Sequence, residues 1–138
     1  MSRSWRTFDH PSDLGLEARA DTLGELFEAL AEGLAAQLCR RGAQGEVTVP
    51  VGAASEDVEA LLVDFLGELL KLFHVDRFVP ARIRVRRCDE TSVRASVDGE
   101  TYDPARHELG PEIKAVTYHQ LKVAREGECW TGRVILDL

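Results

Sequence analysis

Two segments of this chain carry apolar residues at every third or fourth position, and most of the rest alternates with a period of two. The first helical segment is expected to begin at Thr22, which forms a capping-box pattern with Glu25, and to continue to Gly42. The second follows a capping and acidic stretch at residues 55–57, and its wide apolar stripe reaches Phe73. Because a helix with a single apolar stripe must bury it against another layer, both helices are expected to cover a sheet.

Period-two alternation predicts the strands of that sheet, and Gly-containing dipeptides predict its turns. Asp98-Gly99 predicts a tight hairpin turn, and Glu126-Gly127 predicts a second hairpin that closes the sheet. With no repeat or linker to divide them, residues 1–138 are expected to form a single domain. We expect an α+β fold, a two-layer sandwich with two main helices on one face of a mainly antiparallel sheet. The alternating segments are 14–20, 47–51, 83–97, 115–124 and 130–137.

The composition is that of a soluble globular protein, with 44% hydrophobic and 30% charged residues. No apolar run approaches the roughly 20 residues of a membrane span, and the first residues lack the apolar core of a signal peptide. We therefore expect no membrane partner and a cytoplasmic location. The cysteines, Cys39, Cys88 and Cys129, are far apart in the sequence, which argues against a disulfide framework and a zinc cluster.

The net charge of −7 disfavours extensive contact with a phosphate backbone, so little direct binding of nucleic acid is expected. A protein or a cation is the expected partner. Arginines are locally dense in the segment 82–87. A solvated sheet face is the usual explanation for such a series, and a phosphate contact is the alternative.

The first candidate site combines the turn His10-Pro11-Ser12-Asp13 with the end of the chain. The turn presents an imidazole and a carboxylate near a strand end. Apolar strand residues lead directly to Asp137-Leu138, so a side-chain carboxylate is next to the α-carboxylate. If Asp13 lies on a neighbouring strand end, three carboxylates converge, and this oxygen-rich environment suits Ca²⁺, Mg²⁺ or Mn²⁺. The alternatives are an ordinary Asx turn and a solvated, frayed tail.

Further candidates lie in the second half of the chain. Lys114 precedes a strand and could neutralise acidic neighbours or a phosphate, although a surface lysine is the plainer account. His119 lies on the same strand, and an isolated histidine is more often structural than a ligand. Asp103 and His107 lie in a polar loop, where they could add ligands to the same site or simply contact solvent.

Several enzyme signatures are missing, including the GxSxG elbow, the GxxxxGK[ST] phosphate loop, the HExxH zinc helix and the GxGxxG fingerprint. His10, Ser12 and Asp13 are too close in sequence for the relay of a hydrolytic triad. The sequence therefore argues against acyl transfer. A divalent-metal-dependent hydrolase with His10 or His119 as general base is an alternative that remains open.

Several blocks of the sequence resemble the archease family, in the family's order and over nearly the whole chain. The block DHPSDLGLEARADTLGELFEALAEGL resembles the archease opening, a His-x-x-Asp turn and strand followed by the first helix. SEDVEALLVDFLGELLKLF is similar to the second helix, and KAVTYHQLKV and VILDL are similar to the lysine-bearing and terminal strands. Gly99-Glu100 with Tyr102-Asp103 and His107 resembles a further motif. Pro11-Ser12 departs from the family, in which small residues such as Thr-Ala are commoner.

The resemblance implies a function and a partner. It implies a metal-binding accessory protein, not itself an enzyme, that activates an RtcB-type RNA ligase in tRNA splicing and RNA repair by promoting guanylylation and multiple turnover. The implied cofactor is a divalent metal ion, Ca²⁺ or, in the cell, Mg²⁺ or Mn²⁺. A chaperone or modulator of a tRNA-modifying enzyme is a second function associated with the family.

The resemblance also implies roles for particular residues. Asp13 and Asp137 correspond to metal-binding acids, with the terminal Leu138 as an additional ligand. Lys114 corresponds to a position tied to activation. The remaining motif positions, whose roles in activation or partner binding are less defined, are His10, Asp103 and His107.

Overall fold

The computed structural model describes residues 3–10 and 13–138, except for the side chains of Asp9 and His10. Two helices and nine strands account for most of this part of the chain. In chain order the elements are β1 (Arg3–His10), β2 (Asp13–Ala20), α1 (Leu23–Leu38), β3 (Cys39–Arg41), β4 (Val47–Ala54), α2 (Val58–Asp76), β5 (Phe78–Cys88), β6 (Ser92–Thr101), β7 (Glu108–Leu109), β8 (Ala115–Glu126) and β9 (Cys129–Asp137).

The strands pair in antiparallel fashion and form two larger sheets and one short pair. The four-stranded sheet has the order β1-β2-β9-β8, the three-stranded sheet has the order β4-β6-β5, and β3 pairs with β7. Both helices pack against strands of both larger sheets. The expected α+β class, with two helices on mainly antiparallel strands, is confirmed, and the strands are divided between sheets rather than joined in one.

The helix caps follow the sequence closely. The Thr22 hydroxyl accepts a hydrogen bond from the Glu25 amide at 3.1 Å, and the Asp57 carboxylate accepts one from the Ala60 amide at 2.8 Å. Each cap satisfies one of the amide groups that a helix leaves unpaired at its first turn. The capping-box prediction is therefore confirmed. Helix α1 ends at Leu38 rather than at Gly42, because residues 39–41 leave the helix to pair with β7.

The predicted turn at Asp98-Gly99 is wrong. Both residues lie inside β6, where Gly99 pairs with Val47 on one side and with Pro80 on the other. A Cβ atom on Gly99 would lie 2.3 Å from the Val79 carbonyl oxygen, so glycine is needed there for close strand packing. The actual turn follows β5 at residues 89–91. The hairpin at Glu126-Gly127 is confirmed.

Helix α1 runs back along β2 toward the first residue of that strand. Leu30 lies against Gly132, which pairs with Ala18. Farther along the helix, a Cβ atom on Gly33 would contact Leu16 at 3.3 Å. The C-terminal end of α1 therefore points to the end of the sheet at which β2 begins.

Helix α2 runs toward the same end of the molecule. Near its start, the Glu59 carboxylate accepts a hydrogen bond from the Val123 amide at 3.2 Å. Near its end, the His74 Nε2 lies 2.7 Å from the carbonyl oxygen of Ile113, which precedes β8. The two helices thus have their C-terminal ends at one end of the four-stranded sheet.

The helices are joined by an apolar interior in which Phe27 and Phe65 pack with their ring centroids 5.8 Å apart. Neither α1 nor α2, the helices in the described part of the chain, is long and apolar enough to cross a membrane.

Candidate functional site

Asp13 and Asp137 are direct neighbours across β2 and β9. Residues opposite each other in an antiparallel pair have Cβ atoms about 4.5–5.5 Å apart, so both carboxylates leave the same face of the sheet side by side. Each residue is half-buried. Like charges in this arrangement destabilise the pair unless a cation or hydrogen-bond donors compensate. The register therefore creates an acidic site from residues 124 positions apart in sequence.

The end of the chain is held in place at this site. Asp137 lies between Asp13 on β2 and Ala115 on β8, and its carbonyl oxygen accepts a hydrogen bond from the Lys114 amide at 2.7 Å. Leu138 is half-buried and packs against the core. A frayed, solvated tail is excluded by this packing.

The three positions of the predicted metal site thus meet at one strand end. Within the described part of the chain, no three His, Cys, Asp or Glu side chains converge on a common point. Asp13 and Asp137 supply two carboxylates, and further oxygen ligands would have to come from the Leu138 terminus, backbone carbonyl groups or water. Hard divalent cations such as Ca²⁺ and Mg²⁺ accept such mixed oxygen ligands, so the oxygen atoms available at this strand end fit a divalent metal ion.

The helices add to the negative character of this end of the molecule. The C-terminal end of an α-helix carries a partial negative charge, and the ends of both α1 and α2 point here. Lys114 is exposed at the same place, directly before β8. Its amide binds Asp137, which brings the residue itself to the site.

His10 reaches the site through its backbone, which pairs with Asp13 at the last position of the β1–β2 ladder. The side chain of His10 and the residues Pro11 and Ser12 lie outside the part of the chain that the structure describes. The predicted role of the imidazole stays a prediction.

Asp103 and His107 belong to a second polar cluster, built around Glu100. His107 is buried, and its Nε2 lies 3.2 Å from a Glu100 carboxylate oxygen. The same oxygen accepts a hydrogen bond from the Gln44 amide at 2.8 Å, and the other Glu100 oxygen pairs with Arg106. The cluster ties the loop that follows β6 to the segment that follows β3.

Hydrogen bonds define the protonation pattern of this cluster. The Asp103 amide donates to His107 Nδ1 at 2.8 Å, so Nε2 carries the proton that is donated to Glu100. The Arg106 guanidinium above all, then His107 and the Gln44 amide, lower the pKa of Glu100 from 4.5 to about 2. The Glu100 carboxylate is thus a stable anion that fixes a neutral imidazole.

The same cluster lies at the end of the molecule where the helices terminate. The Gly110 amide donates to the Leu38 carbonyl oxygen at the end of α1, and the Tyr102 amide donates to the Arg77 carbonyl oxygen after α2. The contacts of Asp103 with Ala105 and Arg106 hold a turn together. Asp103 and His107 therefore help to hold this loop in place, and their predicted role in activation or partner binding stays a prediction.

Sequence reasoning named Glu100 as part of a motif but gave it no role, and it missed Arg106. Glu100 is 3% exposed although it is charged, and it occupies a strand position next to a glycine. A buried acid is stable only with partners, and both an arginine and a histidine follow within seven residues. An acid in a strand, followed closely by an arginine and a histidine, was the signal in the sequence that could have identified this cluster.

Comparison with known proteins agrees with this fold. A model of the Archease protein family (MTH1598/TM1083) matches residues 5–138. The archease of Methanosarcina acetivorans is 36% identical over 143 residues, covering 100% of this chain and 98% of the relative. The archease of Pyrococcus furiosus is 33% identical over 142 residues, covering 99% of each chain.

Solved structures lead to the same family. The solution structure of protein 1598 from Methanobacterium thermoautotrophicum is similar with a TM-score of 0.78 and 29% identity, covering 98% of this chain and 99% of that one. A crystal structure from Thermotoga maritima, described as an archease and possible chaperone, has a TM-score of 0.66 at 22% identity over 96% of each chain, which shows the shared fold. Because the family model and relatives above 30% identity span essentially the whole chain, this protein belongs to the archease family.

Proposed function

We propose that this protein binds a divalent metal ion at Asp13, Asp137 and the Leu138 terminus and, in the cytoplasm, activates an RtcB-type RNA ligase. It acts as an accessory protein that promotes guanylylation and multiple turnover of the ligase in tRNA splicing and RNA repair, and it has no catalytic activity of its own. The observation that carries the proposal is the direct pairing of Asp13 with Asp137 at a docked chain end.

The chain's own residues define what this site contributes. Asp13 and Asp137 present two anionic groups on one sheet face, and the backbone contact from Lys114 fixes the strand end that carries them. A divalent metal ion, when bound, neutralises charge on phosphoryl oxygens, which is the main electrostatic demand of nucleotidyl transfer. Lys114 is exposed and its backbone contacts Asp137, and we propose that its ammonium group contacts phosphate or the partner and supports activation.

The test is a single-turnover guanylylation assay of the cognate ligase, with and without this protein, at varied divalent metal. We expect acceleration by the wild type and loss of most of it in Asp13→Asn and Asp137→Asn. Glu90→Gln, which removes an exposed carboxylate from the β5–β6 turn, is the matched control and should behave as wild type. Full stimulation by folded variants at both acidic positions would refute the site.

The purified protein alone provides the second measurement. We expect no turnover of RNA or phosphoester substrates with Mg²⁺ or Mn²⁺. Turnover that depends on Asp13 and Asp137 would instead establish a metal-dependent hydrolase. Suppression of aggregation of unrelated proteins, without any effect on the ligase, would favour a chaperone.

A further inference from the structure

The face of the four-stranded sheet that points away from the helices carries a line of charged residues across all four strands. Arg6 pairs with Glu17, Glu17 pairs with Arg133, and Arg133 pairs with Lys122. Direct partners in adjacent strands share a face, so these four residues form one continuous row. We call Arg6, Glu17, Arg133 and Lys122 the basic row.

The basic row has more positive than negative charge. Glu17 is shared by two guanidinium groups, those of Arg6 at 2.9 Å and Arg133 at 3.4 Å. Lys122 pairs with Glu126 at 3.3 Å. Arg19 lies two residues along β2 from Glu17, on the same face, and is exposed. The row, counted with Arg19 and Glu126, therefore has two positive charges in excess, although the whole chain has a net charge of −7.

A cleft follows the row. It has a volume of about 360 Å³, and its lining includes all of the cationic side chains named above together with Glu17 and Glu126. Its floor is made by the two central strands, β2 and β9, whose backbone groups are already paired on both sides. An extended peptide has no free strand edge to join there, so a ligand must be recognised by charge.

The basic row and the acidic pair share one face of the sheet. Asp13, Gly15 and Glu17 are spaced by two residues along β2, and they line the same side of the strand. Four residues at about 3.4 Å each place Glu17 about 14 Å from Asp13 along the strand. Between Asp13 and Glu17, the Phe8 ring covers Gly15, and a Cβ atom added to Gly15 would lie 2.2 Å from that ring. The Arg133 guanidinium lies 5.5 Å from the centre of the same ring.

We propose that the basic row binds the phosphodiester backbone of a single RNA strand that crosses the outer face of the sheet. The row runs across the strands, whereas Asp13 and Asp137 lie farther along them, so this contact does not depend on the proposed function. Arg6, Lys122 and Arg133 neutralise successive phosphates, and Arg19 extends the contact beyond the row.

The spread of the cations favours an RNA strand over a compact nucleotide. Two strand spacings of about 4.8 Å separate Arg6 from Arg133, with Lys122 one spacing farther on. A triphosphate needs donors that converge on one point, usually backbone amides of a loop, whereas an extended strand carries a charge at each nucleotide. The expectation of little nucleic-acid binding follows from the net charge of −7, whereas the register gathers Arg6, Arg133 and Lys122 into one row.

The experiment is an anisotropy titration of a fluorescein-labelled oligouridylate with this protein alone, in EDTA, at a series of KCl concentrations. We expect weak binding with a slope of log K against log salt of about −1.4 to −2.1, for two or three phosphates at about 0.7 each. The variant Arg6→Gln/Arg19→Gln/Lys122→Gln should bind about tenfold more weakly at the lowest salt, with a correspondingly smaller slope.

Two further variants separate charge from folding. Arg87→Gln removes an exposed arginine from β5 in the other sheet and should leave RNA binding unchanged. Glu126→Gln removes the acid that pairs with Lys122 and should strengthen binding. Absence of binding at the lowest salt, equal binding by the triple variant, or equally effective competition by GTP or polyglutamate would overturn the proposal. Because ligase and metal are omitted, failure of the proposed function would not change these outcomes.

Discussion

Asp13 and Asp137 face each other across two paired strands, at the last position where β2 and β9 are in register. A protein that only needed a stable sheet would not place two carboxylates in a direct cross-strand pair, because like charges there cost free energy. The metal ion proposed above would offset this cost.

Removal of one charge should have opposite effects with and without metal. In EDTA, Asp137→Asn is expected to raise the free energy of unfolding by about 0.2–1 kcal/mol, because the repulsion between the paired carboxylates is lost. With Ca²⁺ or Mn²⁺, only the wild type should be stabilised, since a ligand that binds the folded state shifts the equilibrium. Urea denaturation followed by circular dichroism measures both, and stabilisation of the two proteins by equal amounts would contradict the site.

Displacement of the α-carboxylate should weaken metal binding without unfolding the chain. An added Gly-Gly after Leu138 keeps the half-buried leucine side chain but moves the terminal charge away from Asp137. Titration calorimetry is expected to show weaker binding of the metal, while the midpoint of urea unfolding in EDTA stays unchanged. Undiminished affinity would mean that the terminus is not a ligand.

Acid should destabilise the protein through Glu100. The folded-state pKa of this carboxyl group is lowered from 4.5 to about 2, mainly by Arg106. Its stabilising effect is therefore complete above about pH 4.5 and is lost as the pH falls toward 2. Glu100→Gln should be less stable at neutral pH and should lose less stability between pH 4.5 and 2. Urea midpoints across that range test this, and parallel curves for the two proteins would refute it.

Two glycines should respond oppositely to alanine. Gly99→Ala would place a Cβ atom 2.3 Å from the Val79 carbonyl oxygen and is expected to cost about 1–3 kcal/mol. Gly67 lies within α2, and apart from its chain neighbours and the backbone of its own helix no atom lies within 4 Å of an added Cβ, so Gly67→Ala should stabilise by about 0.5–1 kcal/mol. Thermal unfolding distinguishes them. A mild effect at Gly99 would indicate that the position tolerates a side chain, as an ordinary turn would.

Features that depend only on neighbours in sequence could be predicted from the sequence. Thr22 and Asp57 cap helices because a short oxygen-bearing side chain reaches an amide two or three residues away, which depends on neighbours in sequence alone. The apolar stripes and the Glu126-Gly127 hairpin are local in the same sense. The α+β class follows from them, since two striped helices and alternating strands have few ways to bury their apolar faces.

Long-range register was decided by the tertiary structure. Asp98-Gly99 is a dipeptide typical of a turn, yet it lies inside β6, because β4 and β5 pair with it on both sides. The basic row joins residues that are far apart in sequence, and the Glu100 cluster adds the distant Gln44 to residues 100–107. The sequence by itself determined the helices, the caps and the acids at the two ends of the chain. Which side chains became neighbours depended on strand pairing, because a shift of one residue would turn every side chain to the opposite face.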